Sequence, residues 1–144
     1  MAGAVSSLKA QGFTTVDAAE SRQFDSALPI AEVIARSGEI PEIVVVHLGT
    51  NGTIDEDDAN EFFALLQGVP KVIVLTVNVD KSWNDPNNAL IMSLPTEFPN
   101  VSVGFWDGVA PDCTGNCFAS DNLHLSADGA DYYAGYIAAW SGIA

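Results

Sequence analysis

Asp121-Asn122-Leu123-His124 sets an acid three residues before one of the chain's two histidines, and Leu125-Ser126 leads from there into a helix start. A loop carboxylate at that offset can bond one imidazole nitrogen, fix the tautomer and leave the other nitrogen free to move a proton. Such a pair serves as a general base that takes a proton from a hydroxyl and returns it to a leaving group. A second polar cluster, Gly49-Thr50-Asn51-Gly52, follows the most apolar run of the chain. An amide side chain there can donate to an oxyanion, a contact worth roughly 3 kcal/mol in acyl transfer. Taken singly, each motif also reads as ordinary surface, since D-x-x-H is short and Asn and Gly are common in turns.

These residues need elements to hold them. Residues 2–11 read as a short helix ended by Gly12, and Phe13–Val16 as a strand. A helix is expected near Leu28–Ser37, with Leu28, Ala31, Val33 and Ile34 on its buried side. Ile43–Leu48, a continuous apolar run, predicts a parallel strand covered on both faces, with His47 packed inside it. Thr53-Ile54-Asp55-Glu56 reads as a capping box that opens a helix to about Gln67. Lys71–Val77 predicts a second buried strand, Asn78–Asn88 a polar loop holding Trp83, and Asn88–Leu94 a helix. Val101–Phe105 is the last strand, and Ala127–Ser141 carries Tyr132, Tyr133, Tyr136, Ile137 and Trp140 at helical spacing. Strands alternate with helices, which predicts a single α/β domain with a parallel sheet. Ligands of such sheets bind beyond the carboxyl ends of the strands, where Asp17–Gln23, Gly49–Gly52, Asn78–Trp83 and the segment from Trp106 onward fall.

Composition narrows the function. The chain has 144 residues, 48% hydrophobic and 17% charged, as a folded domain has. Its net charge of −14 argues against nucleic acid, whose binding rests on Lys and Arg neutralising phosphates. No apolar run reaches the ~18 residues of a membrane span. Two cysteines, Cys113 and Cys117, flank Thr-Gly-Asn. They are too few for a zinc site and not spaced as C-x-x-C. A small disulfide across the Gly-containing turn fits their spacing and an extracytoplasmic setting, and free thiols are the alternative. No metal or other cofactor is implied.

Leu48-Gly49-Thr50-Asn51 resembles the G-x-N block of the SGNH (GDSL-like) hydrolase family, and Asp121-Asn122-Leu123-His124 resembles its D-x-x-H block. The similarity extends over Val16–Gln23, Val44–Gly52, Trp83 with Asn87 or Asn88, Trp106 and Asp121–Gly129, nearly the whole chain. It is nearest to the SGNH domains of bacterial O-acyltransferases, in which such a domain follows a membrane acyltransferase. The resemblance implies a three-layer α/β/α, flavodoxin-like fold. It implies His124 as base, Asp121 as its orienter, Asn51 as oxyanion donor and Trp83 as a substrate-lining residue. The family's second block offers a glycine N–H to the oxyanion, and Arg22 stands at the matching position, where its backbone N–H could serve. Gly52 replaces the acid of the G-x-N-D form.

The family's nucleophile, a serine in Gly-Asp-Ser at the end of the first strand, occurs nowhere in the sequence. Nor does a G-x-S-x-G elbow. Ser6 and Ser7 fall inside the first helix and Ser21 within the second block, poor positions for a nucleophile. The chain thus reads as an SGNH domain that lacks its first strand, with the serine preceding Met1 in a parent that is itself membrane-linked. Phe13–Val16 would then face a gap, pair directly with Ile43–Leu48, or take a strand from another chain, so self-association through an open sheet edge is expected. The reading is a serine esterase or O-acyltransferase domain for acyl esters of carbohydrate, with little turnover in this chain. A non-catalytic SGNH-like module that binds a glycan or a partner is the alternative. A flavodoxin-like nucleotide binder is a third reading, without a phosphate-cradling loop to support it.

Overall fold

The computed structural model describes residues 1–143. The chain forms an α/β fold with two compact units, one made of Met1–Glu20 with the segment from Trp106 onward, the other of Ser21–Phe105.

The Ser21–Phe105 unit holds the sheet. Strands β1 (Ile43–Val46), β2 (Lys71–Leu75) and β3 (Val101–Gly104) are parallel and lie in the order β1-β2-β3, consistent with part of a flavodoxin-like sheet. The register aligns Val44 with Val72 and Val72 with Val101, and likewise Val46 with Val74 and Val74 with Val103. Partners in register point to one face, so the valines form two apolar rows across the sheet. On those rows pack Ala31 of α2 (Leu28–Arg36), Phe62 and Phe63 of α3 (Glu56–Leu65), and Ile91 and Leu94 of α4 (Asn84–Glu97). Phe24 joins them edge-on to Phe62, with ring centroids 5.2 Å apart. Ile73 and Leu75, on the opposite face of β2, are also fully buried. The β-branched run that predicted a two-face-buried strand is therefore realised most completely in β2.

The other unit contains α1 (Val5–Ala10), a short α5 (Trp106–Val109) that runs on into a 3-10 turn at Ala110–Asp112, and α6 (Ala127–Ser141). Trp106 organises it: the indole meets Tyr133 edge-on at 4.9 Å and lies 6.5 Å from Phe118. Tyr133 and Ile137 are buried on α6, whereas Tyr132 and Trp140 are exposed.

Several local expectations are corrected. Phe13–Val16 is not a strand. Among the described residues it has no ladder partner, and a strand needs one to satisfy its backbone. Thr53 does not cap α3; Asp55 does, its carboxylate accepting from Asp57 N at 2.9 Å. Ile54 N, just ahead of the cap, donates instead to the side chain of Asn87. Helix α4 begins at Asn84 rather than Asn88, with Pro86 accommodated in its first turn, and runs to Glu97. Val33 is exposed, five residues from Leu28 and so on the far side of α2. Strands β1 and β2 end at Val46 and Leu75, so His47 lies just past its strand rather than inside it. No helix among the described residues is long and apolar enough to cross a membrane.

Candidate active site

Asp121 and His124 sit at the tip of a small hairpin between the cysteine pair and α6. Phe118 and Leu125 form an antiparallel bridge, and Ala119 N donates to His124 O at 2.7 Å. Asn122 N donates to Ala119 O at 3.0 Å, and Asn122 takes a positive φ of 56°, a conformation that asparagine tolerates. Asp121 uses both carboxylate oxygens. Oδ1 accepts from the backbone N–H of Leu123 and of His124, each at 3.0 Å, and Oδ2 lies 2.6 Å from His124 Nδ1. These bonds stabilise the carboxylate, the His124 side chain foremost, and hold its pKa well below the usual carboxylate range. The pair is solvent-accessible, with His124 at 69% and Asp121 at 49% side-chain exposure, so it is open to a substrate. The tautomer with the proton on Nδ1 is the one that this geometry selects, and Nε2 is then the nitrogen able to accept a proton.

In the Ser21–Phe105 unit the loops that leave β1 and β2 converge. Trp83 Nε1 donates to Thr50 O at 3.3 Å, tying the two loops together. Exposed Asn51 reaches Arg22, its Nδ2 lying 3.5 Å from the Arg22 carbonyl. Asn51, Arg22 and Trp83, which come from three separate segments, thus form one group within this unit.

Two residues of α4 hold that group in shape, and the sequence reading assigned neither of them this task. Asn87 is fully buried, and its Nδ2 donates to Gly49 O at 2.9 Å and Gly52 O at 2.8 Å while Oδ1 accepts from Ile54 N at 2.8 Å. It brackets Asn51 from both sides. Gly49 is required there, because its φ is +106° and a Cβ would lie 2.8 Å from the Ile54 side chain. Asn88 does the same for the end of β2, exchanging bonds with Val77 N and O at 2.8 and 2.9 Å. The signal was legible in principle: adjacent asparagines inside a helix are unfavourable unless their amides have backbone to satisfy.

The cysteine sulfurs are bonded to one another, Cys113 to Cys117. His47 belongs to no catalytic group: burial lowers its pKa to about 3, with a smaller opposing effect from the Thr76 backbone, so it is neutral near neutral pH. Ser7 Oγ donates to Asp131 at 2.6 Å, and Ser126 Oγ bonds Asn116 O and Gly129 N. Ser21, exposed with φ 56°, and Ser6, exposed on α1, stand in neither arrangement. Among the described residues no group of three or more His, Cys, Asp or Glu is placed to hold a metal ion.

The chain is 31% identical over 121 residues to peptidoglycan O-acetyltransferase OatA of Listeria monocytogenes. The match takes in 83% of this chain but 19% of that protein, so the chain spans about a fifth of the length of the curated relative that it matches. It is related in sequence to a stretch of an O-acyltransferase. No family model matches the chain.

Proposed function

We propose that this domain performs SGNH-type acyl-ester chemistry on carbohydrate, as a serine esterase or O-acyltransferase. The observation that carries the reading is the Asp121–His124 pair, with Nδ1 2.6 Å from a carboxylate that two backbone N–H groups hold in place. In this reading His124 Nε2 takes the proton from a serine hydroxyl as that oxygen attacks the acyl carbonyl, then returns it to the departing alcohol. Asp121 keeps the imidazole in the required tautomer and stabilises the imidazolium that forms. Asn51 Nδ2 and the backbone N–H of Arg22 serve the oxyanion, and Trp83 lines the substrate. The relationship to a peptidoglycan O-acetyltransferase supports a carbohydrate acceptor or donor, with the acetyl group as the acyl chemistry to try first. The disulfide suits an extracytoplasmic setting.

The nucleophile separates this reading from a second one. Gly-Asp-Ser is absent from the 144 residues; were Met1 the true start, that would favour a module that binds a glycan or a partner without catalysis. Under the enzyme reading, this chain alone turns over aryl acetates or acetylated peptidoglycan fragments barely above background. In a form that carries the serine, His124→Ala lowers kcat by roughly a thousandfold with KM little changed. An in-frame Gly-Asp-Ser upstream of Met1 supports the enzyme and its absence the module. A serine-bearing form whose rate survives His124→Ala would sink the assignment of the base.

A further inference from the structure

We propose that the Cys113–Cys117 disulfide, acting through Asn116, Cys117 and Ser126, is the positioning device that holds Asp121 and His124 in register; this rests on the reading of His124 as the base. The bridge closes a five-residue ring, and two successive carbonyls of that ring converge on one residue. Asn116 O accepts from Ser126 Oγ, and Cys117 O accepts from Ser126 N at 2.9 Å. Ser126 also caps α6, its Oγ accepting from Gly129 N at 3.1 Å. The ring lies hard against that helix: a Cβ on Gly129 would stand 1.8 Å from Cys117 O, which explains the glycine. Cys117 is 2% exposed and Phe118 packs on Trp106. The base of the hairpin is thereby fastened to α6 and to the aromatic cluster.

The tip has no comparable anchorage. Asp121, Asn122 and His124 are exposed, and their bonds run to residues of the same hairpin. An exposed acid–histidine pair is too weak to offset the entropy of fixing the loop that carries it. Its order is inherited from the base, along the Phe118–Leu125 bridge and the Ala119 N to His124 O bond. With the disulfide closed, the carbonyls of Asn116 and Cys117 are held toward Ser126 and Nδ1 faces Asp121. Reduction adds two electrons and two protons, breaking the S–S bond to give two thiols. A phosphine reductant is oxidised to its oxide in the same step, taking the oxygen from water. The Ser126 ties then loosen and the pair loses its register.

The test reads geometry rather than turnover. Long-range proton–nitrogen correlation spectra of the whole chain report the ratio of Nδ1–H to Nε2–H tautomers of neutral His124. The Nδ1–H form is expected to dominate in the oxidised protein, and the ratio to fall about threefold, the worth of an exposed pair, after phosphine reduction. Ser126→Ala, with the bridge intact, is expected to give a similar fall and Ser126→Thr to restore the ratio. Circular dichroism establishes that each species is folded. An unchanged ratio in the reduced, folded chain overturns the proposal. If reduction unfolds the chain, Ser126→Ala decides by the same criterion. Failure of the catalytic reading would appear elsewhere, as a serine-bearing form indifferent to His124→Ala, and would leave the tautomer ratio as it is.

Discussion

At the scale of residues, the chain's two histidines are opposites. His124 is exposed and paired, while the His47 ring is held neutral by burial. The second has a consequence for stability. The folded-state pKa of His47 is about 3, against roughly 6.5 for an unfolded histidine. Between those values the unfolded chain binds more protons, so stability rises with pH across the window and the loss on acidification is complete near the lower value. Acidification from about pH 7 to about pH 4 is therefore expected to lower the urea midpoint of the native chain more than that of His47→Gln. Equal losses in the two proteins would show that His47 does not contribute to acid sensitivity. Asp121 acts in the same direction: its lowered pKa favours the folded state above the ordinary carboxylate range, and the contribution is lost as pH falls through the folded value.

At the scale of elements, the oxyanion candidate depends on a helix that does not carry it. Asn51 is exposed in a glycine-flanked loop, and its surroundings are set by Asn87 from α4. Asn87→Leu would preserve size but leave two carbonyls and one N–H without their partner in a buried place, at a cost of about 2–4 kcal/mol. Thermal unfolding should show that loss. Amide exchange across Gly49–Ile54 should quicken more than across β2, because the clamp acts on the loop and not on the sheet. Exchange that rises uniformly would mean that Asn87 stabilises the unit without shaping the loop. The hairpin at Asp121–His124 follows the same logic, its geometry being set by α6 and the cysteine ring. That ring is short, its ends only four positions apart in sequence, so in the chain-entropy picture it contributes only ~2 kcal/mol. Its effect is correspondingly expected to be local.

At the scale of the whole molecule, the sheet edge and the net charge oppose each other. Among the described residues β1 pairs along one side only, with Ile-Val-Val-Val at an open edge, a pattern prone to recruit another strand. A net charge of −14 keeps copies apart by repulsion that salt screens. The weight-average mass in sedimentation is therefore expected to rise with protein and salt concentration, and Val45→Lys to suppress the rise. A mass that stays at one chain under all these conditions removes the expectation of self-association.

The α/β alternation, the positions of β1, β2, β3 and α6, and the Asp121–His124 pair can all be read from the amino-acid order alone. All of these rest on short-range information. Strand runs and helical spacing are local patterns, and an acid three residues from a histidine needs only a turn to meet it. Packing, by contrast, decided that Phe13–Val16 forms no strand, since a strand exists by virtue of its neighbour. It also decided that α3 starts at Glu56 behind the Asp55 cap, with Ile54 N bonded by the distant Asn87, and that Val33 faces outward. The convergence of Asn51, Arg22 and Trp83, and the fastening of the hairpin through Ser126 to the cysteine ring, were likewise beyond local reading. Such contacts join residues far apart in sequence, and a side-chain amide or hydroxyl shows no preference among distant backbone groups until packing brings one within reach.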